Sequence, residues 1–212
     1  MLNINDLPVE ILHHIIAFCT QRELLLNVAP VCKLWHELAY DPTHWRKLSF
    51  DLRKESITSE TVQNCFARSR LLRCIEIIEG RVRVSQCSLS VADIFRCCAS
   101  HCDKVVDIQL CSIFSLDSWM IVELVRCFPN LESLGVRACE QLDHECVRNI
   151  CDLSCLRKLE ISHCTQLTDE LLDDLSCHLP QLQSLIINGL IKISDRYEFI
   201  FYFINKCLVK FW

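Results

Sequence analysis

Leu156-Arg-Lys-Leu159-Glu-Ile161-Ser-His-Cys164-Thr-Gln-Leu167-Thr-Asp169 is written into this chain more than once. Leu131-Glu-Ser-Leu134-Gly-Val136-Arg-Ala-Cys139-Glu-Gln-Leu142-Asp143 precedes it, and Leu182-Gln-Ser-Leu185-Ile-Ile187-Asn-Gly-Leu190-Ile-Lys-Ile193-Ser-Asp195 follows. The first leucines stand 25 and 26 residues apart, a period that holds one strand–turn–helix unit and lets units stack. Toward the N-terminus, Val105 opens a weaker copy with Ile108, Leu110, Ile113 and Leu116-Asp117, and Leu72 opens another with Ile75 and Ile77. The 33-residue step from 72 to 105 predicts a loop near Gly80–Ser90. Trp45, Leu48 and Phe50 read as a degenerate opening copy.

Alternation at Leu134/Val136 and Leu159/Ile161 puts two apolar side chains on one face of a short strand. Cys139 and Cys164 then fall at the following turn, where a small, weakly polar side chain can be buried again and again. The Asp after each turn (Asp143, Asp169, Asp195) suits the cap of a return helix, and 117–128, 143–153 and 169–179 carry helical spacing. The pattern resembles the cysteine-containing leucine-rich repeat. One unit cannot bury its own apolar side, so the fold expected over 51–195 is an α/β solenoid. It has about five repeats, six with the opening copy, with parallel strands on the concave face and helices on the convex face. The residues alternating with the buried pairs face a partner from the concave side: Glu76, Asp107, Gln109, Arg137, Lys158, Glu160 and Asn188 are the candidate target contacts. Arg68, Arg70, Arg73, Arg81 and Arg83 form the one basic concentration; alternation with Glu76 and Glu79 makes a solvated loop region the expected account.

Residues 6–48 follow helical spacing instead. Asp6 is placed to cap a helix with Pro8 in its first turn, and Ile11, Leu12, Ile15, Phe18 and Cys19 follow on one side. Leu24, Leu25 and Val28 mark a second short helix. After Pro30, Val31, Cys32, Trp35, Leu38 and Ala39 mark a third that ends at Asp41-Pro42. About 40 residues in three short helices bury little surface alone, and their apolar content exceeds one internal face, as a helix-groove docking site requires.

Leu7-Pro8-Val-Glu10-Ile11-Leu12-His-His-Ile15-Ile16, Glu23-Leu24-Leu25, Val31-Cys32-Lys33-x-Trp35-x-x-Leu38-Ala39 and Trp45 together resemble the F-box. Glu23 stands where Asp is common, and Phe18-Cys19-Thr20-Gln21 replaces an aliphatic-Asp turn; neither removes an apolar anchor. The resemblance implies an all-α module over 1–50 that docks on the Skp adaptor of a Skp–cullin–F-box ubiquitin ligase. By the same resemblance Leu7, Pro8, Ile11, Leu12, Ile15, Leu24, Leu25, Val28, Val31, Cys32 and Trp35 are the adaptor contacts, some shared with the small core. The implied role is a non-catalytic substrate-recognition subunit whose repeats hold an unknown protein target, linked through the adaptor to a cullin–RING ligase. The alternative is an interaction scaffold outside any ligase.

Composition narrows the remainder. The formal charge of −5, from 22 basic and 27 acidic residues, gives no electrostatic reason to expect nucleic acid. Only 3 glycines argue against phosphate-binding loops. No apolar run reaches the roughly 18 residues of a membrane span. Seventeen cysteines cannot all pair within one chain, no Cys-x-x-Cys occurs, and the start lacks a signal-peptide pattern. Reduced thiols in the cytoplasm or nucleus are expected. Cys97, Cys98, His101 and Cys102 cluster most tightly, but Cys97 does not share their helix face; buried thiols account for them better than zinc, and no metal or cofactor is expected. The eight histidines form no His-x-x-x-His or Ser–His–Asp arrangement. Residues 196–212 depart from the repeat, with 7 of the 17 aromatics. This segment reads as a replacement for the last helix in a shortened or alternatively ended array.

Overall fold

The protein is described by a computed structural model that covers residues 4–53, 57–81, 89–194 and 208–210. Helix α1 (Val9–Ile16), α2 (Gln21–Glu23, running on as a π-helical stretch Leu24–Val28) and α3 (Lys33–Ala39) form the N-terminal module. A 3₁₀ turn, Pro42–Trp45, leads into β1 (Lys47–Asp51). From there strands and helices alternate. They are α4 (Ser59–Arg68), β2 (Cys74–Ile78), α5 (Val91–His101), β3 (Asp107–Cys111) and α6 (Ser118–Cys127). β4 (Ser133–Arg137), α7 (His144–Ile150), β5 (Lys158–Ser162), α8 (Glu170–His178), β6 (Ser184–Asn188) and β7 (Leu208–Lys210) complete the chain.

The strands form one parallel sheet in chain order, β1 to β7. Register is constant: Leu48, Ile75, Ile108, Leu134, Leu159 and Leu185 align, as do Phe50, Ile77, Leu110, Val136, Ile161 and Ile187. All of these are buried, and they join the inner faces of α4–α8 in one continuous core from Trp45 to Ile187. Each repeat is closed by its neighbours, which is the physical meaning of the period.

Turn chemistry recurs as well. The residue after β3, β4, β5 and β6 has positive φ: Ser112 (53°), Ala138 (53°), His163 (56°) and Gly189 (61°). The N–H groups of Ser112, Ala138 and His163 each donate to the carbonyl of the next strand's last residue, at 2.7–2.8 Å. This left-handed step turns the chain inward, so Cys139 and Cys164 are fully buried, and Cys164 Sγ donates to the Ser162 carbonyl at 3.5 Å. Burial pushes the Cys139 thiol up to about 12 and the Cys164 thiol to about 11. Every described cysteine is a free thiol.

Several expectations change. The opening copy is a real strand, so a boundary at residue 50 cuts through β1. The aromatic tail, with the expected helix replacement at 197–204, lies outside the described residues, and residues 208–210 add a seventh strand paired with β6. Asp195 and Arg83 also lie outside, as do residues 82–88 of the predicted loop. Asp117 and Asp143 cap α6 and α7 by accepting from Met120 N and Cys146 N, both at 2.9 Å. Asp169 does not cap α8; its own backbone is helical, and its carboxylate takes the N–H and hydroxyl of Ser194 at 2.8 and 2.6 Å. Asp6 closes a separate 3₁₀ turn, Ile4–Asp6, and Pro8 occupies the cap position of α1 without a side-chain cap.

Candidate functional site: the outer face of the helical module

The module has its own small core: Leu12, Ile16, Leu24, Val28, Ala29, Leu38 and Ala39, with Cys19, Leu34, Trp35 and Tyr40 packed against it. Two interactions brace it. Thr20 and Glu23 form a capping box that starts α2, the Glu23 carboxylate taking the Thr20 N–H at 2.8 Å and thereby held below its ordinary pKa. Trp35 Nε1 donates to Asn5 Oδ1 at 2.7 Å, tying the N-terminal turn to α3.

Helix α1 carries two apolar stripes where the sequence suggested one. Leu12, Ile16 and Cys19 point inward, whereas Ile11, Ile15 and Phe18 point out, with Phe18 84% exposed. Both stripes have the i, i+4, i+7 spacing of one helix face, offset by a single residue. Outward with them stand Ile4, Leu7, Val9, Leu26 and Val31. Among the described residues, the rest of the molecule exposes only Trp119, Val122 and Ile191 as large hydrophobics. The apolar surface is therefore concentrated on a segment of fewer than thirty residues, the pattern of a protein-docking face.

This sorts the eleven candidate adaptor contacts. Leu7, Pro8, Ile11, Ile15 and Val31 are exposed; Cys32 and Trp35 are half-buried. Leu12 and Leu24 (1% exposed each) and Val28 (5%) lie in the core and present no surface. Leu25 packs instead against the solenoid core. Ile4, Val9, Phe18 and Leu26 stand exposed on the same module and were not among the candidates, although the doubled stripe in Ile11-Leu12 and Ile15-Ile16 was a readable signal.

The module is fastened to the solenoid. Trp45, fully buried in the repeat core, donates its indole N–H to the Ala39 carbonyl at 3.1 Å. Gln21 Nε2 reaches the Lys47 carbonyl at 2.9 Å, and Arg68 lies over the Tyr40 ring at 5.2 Å. His13 and His44 stack beside Asp41, whose carboxylate is lowered chiefly by the Thr43 hydroxyl. A cleft of about 590 Å³ opens between α2 and the first repeat, lined by Leu25, Leu26, Phe50, Ile57 and Cys65 among others.

The concave candidates do fall on one surface, and most engage each other. Lys47 pairs with Glu76 at 3.2 Å; Arg137 and Glu160 form a two-pronged pair at 2.6 and 2.7 Å; Gln109 Nε2 donates to Asp107 Oδ1 at 2.8 Å. Gly135 lets the Gln109 amide lie flat on its strand, since any Cβ there would meet it. Lys158 is exposed beside them, and Asn188 closes the last row on β6. Cys98 and Cys102 are buried, and His101 turns to the Cys97 carbonyl at 2.8 Å. Among the described residues no three His, Cys, Asp or Glu side chains are placed to hold a metal, and no helix is long and apolar enough to cross a membrane.

The structure thus joins a three-helix module with an apolar outer face to a parallel strand–helix solenoid with a polar concave face. The comparisons with known proteins agree. A family model described as F-box-like matches residues 4–51. F-box/LRR-repeat protein 23 of Arabidopsis thaliana is 24% identical over 190 residues, covering 86% of this chain and 34% of its own length. F-box/LRR-repeat protein 21 of the same plant is 26% identical over 197 residues, covering 91% of this chain and 54% of its own. The chain thus spans between a third and about half of these relatives. The crystal structure of the Rad7 and Elc1 complex in yeast shares the fold, with a TM-score of 0.52 at 14% identity over 88% of this chain and 54% of that one. Residues 4–51 thus match an F-box-like model, and over about nine-tenths of its length the chain is similar to F-box/LRR-repeat proteins.

Proposed function

We propose that this protein is a substrate-recognition subunit of a Skp–cullin–F-box ubiquitin ligase, acting in the cytoplasm or nucleus. The outer face of its helices holds a Skp-type adaptor; the solenoid holds a protein target. Its contribution is proximity and orientation rather than chemistry of its own. The observation that carries the reading is the segregation of exposed apolar side chains, Ile4 to Val31, onto the F-box-like domain. Their placement beyond a satisfied internal core makes them surplus to folding and available to a partner.

The test is co-purification of the full chain with a Skp-type adaptor, followed by capture of the cullin subunit. The expected result is a stable complex that retains the cullin. A folded chain that fails to bind the adaptor at micromolar concentration refutes the proposal, and adaptor binding without cullin capture refutes its ligase half.

A further inference from the structure

Most described arginines already have a carboxylate. Arg53 pairs with Asp51, Arg81 with Glu140, Arg96 and Arg126 with Glu123, Arg137 with Glu160, and Arg148 with Asp174. The sequence placed Glu76 and Glu79 among the basic residues of 68–83 as their counter-charges. The structure takes both away. Glu76 is bound by Lys47, and Glu79 is buried with its carboxylate on the Phe114 N–H at 2.8 Å and on Ser115. Arg46, Arg70, Arg73 and Lys104 are exposed, with no ion pair among the described residues.

Arg46, Arg73 and Lys104 belong to the entries of the first three strands and share one rim, with Arg70 in the turn that leads to Arg73. Arg46 and Arg73 are register neighbours: the Arg46 carbonyl accepts from Arg73 N and Cys74 N at 2.8 and 3.1 Å. The Arg73 carbonyl accepts from Val106 N and Asp107 N, both at 3.0 Å, which brings Lys104 alongside. At roughly 4.8 Å per strand the patch is about 10 Å across. Asp107 is held by Gln109, and Glu132, in register beyond Val106, separates the patch from Arg157 at the next strand entry.

We infer that this rim binds an extended Asp/Glu-rich segment of a protein partner. The cations come from successive strand entries instead of from one loop, and the rim's N–H groups (Arg73, Cys74, Val106, Asp107) are all spent on carbonyls. No backbone nest remains for a phosphate, whereas successive carboxylates of an extended strand match spaced guanidinium groups. This inference does not rest on the adaptor reading.

The test uses the full chain and a fluorescein-labelled Glu-rich peptide, read by anisotropy against a Gln-matched peptide. Binding of the Glu peptide is expected to weaken as salt rises. Arg46→Gln and Arg73→Gln each cost about two- to five-fold in affinity, and Arg46→Lys retains most of it. Arg126→Gln, on convex helix α6, leaves it unchanged. The three substituted residues are exposed or surface-paired, so thermal melts should match the parent. Equal binding of the Gln peptide, an Arg126→Gln loss as large as that of Arg73→Gln, or tighter binding of a single-stranded oligonucleotide or of phosphatidylserine vesicles than of the peptide overturns the inference.

Discussion

Replacing Ile11 and Ile15 together by alanine separates docking from folding. The two side chains are 48% and 42% exposed, so about half of each already packs against the module and half is open. Full burial of an isoleucine side chain stabilises by about 1.5–3 kcal/mol. The half left for a partner is worth about 0.75–1.5 kcal/mol at each position, or about 1.5–3 kcal/mol for the pair, which is roughly a 10- to 150-fold loss in Kd. The control is Leu12→Ala, one position away on the same helix but 1% exposed. It leaves a cavity and should cost about 2–5 kcal/mol of stability with no direct loss of contact. Titration of a purified Skp-type adaptor by calorimetry, beside urea unfolding of each variant, reads both quantities. The double mutant should bind weakly and unfold nearly as the parent does; Leu12→Ala should unfold early and, where folded, bind as the parent does. A double mutant that binds within twofold of the parent would mean that the outward stripe of α1 is not the docking face.

Three further outcomes follow from the repeats. Gly189→Ala should lose about 1–2 kcal/mol or more in urea unfolding, because the position has φ of 61° and a new Cβ would run into the His163 ring; His163→Ala should recover the steric part but not the backbone part. Alkylation with iodoacetamide near neutral pH should reach exposed Cys155 and Cys177 before Cys139 and Cys164, whose thiols burial holds at about 12 and about 11; mass spectrometry showing simultaneous labelling would contradict the packed turn. Asp93 is lowered chiefly by the Ser90 hydroxyl, which donates to it at 2.7 Å in the cap of α5. A depressed folded value contributes stability above the ordinary aspartate range and loses it as pH falls through the folded value, so Asp93→Asn should flatten the acid limb of a stability–pH curve, roughly from pH 5 downward.

The repeat was legible because every copy solves the same burial problem with the same residue types. Leu134/Val136 and Leu159/Ile161 announce both strand and face, and Asp117 and Asp143 announce where helices begin. Asp169 obeys the pattern and still fails as a cap, because Ser194, twenty-five residues on, competes for its carboxylate. That competition exists only after the chain is stacked. The helical module was harder to read for a different reason. Ile11-Leu12 and Ile15-Ile16 satisfy one helical period twice, and composition alone cannot say which stripe is spent on the core. The answer depends on where α3 lies, which places Leu38 and Ala39 against Leu12 and Ile16. Charge was the least legible feature. Glu76 and Glu79 neighbour arginines in sequence, yet in space one serves Lys47 and the other the Phe114–Ser115 turn.

The joint between the two units explains how a module of this size holds its shape. Three helices with seven buried apolar residues form a marginal core by themselves. Trp45 moves the problem: it belongs to the segment matched as F-box-like, yet its side chain lies wholly in the solenoid core, and its indole N–H is satisfied by the last turn of α3. β1 likewise ends the F-box-like segment and starts the sheet. The solenoid thus supplies the burial that the helices lack, and the helices cover part of the open end that a strand array would otherwise expose. With folding secured through the joint, Ile11, Ile15 and Phe18 are released from core duty, and an apolar outer face can persist on a stable chain. The same joint relates the outer helical face to the concave surface. Under the proposed function, that relation is the quantity that matters, and Trp45 with β1 sets it.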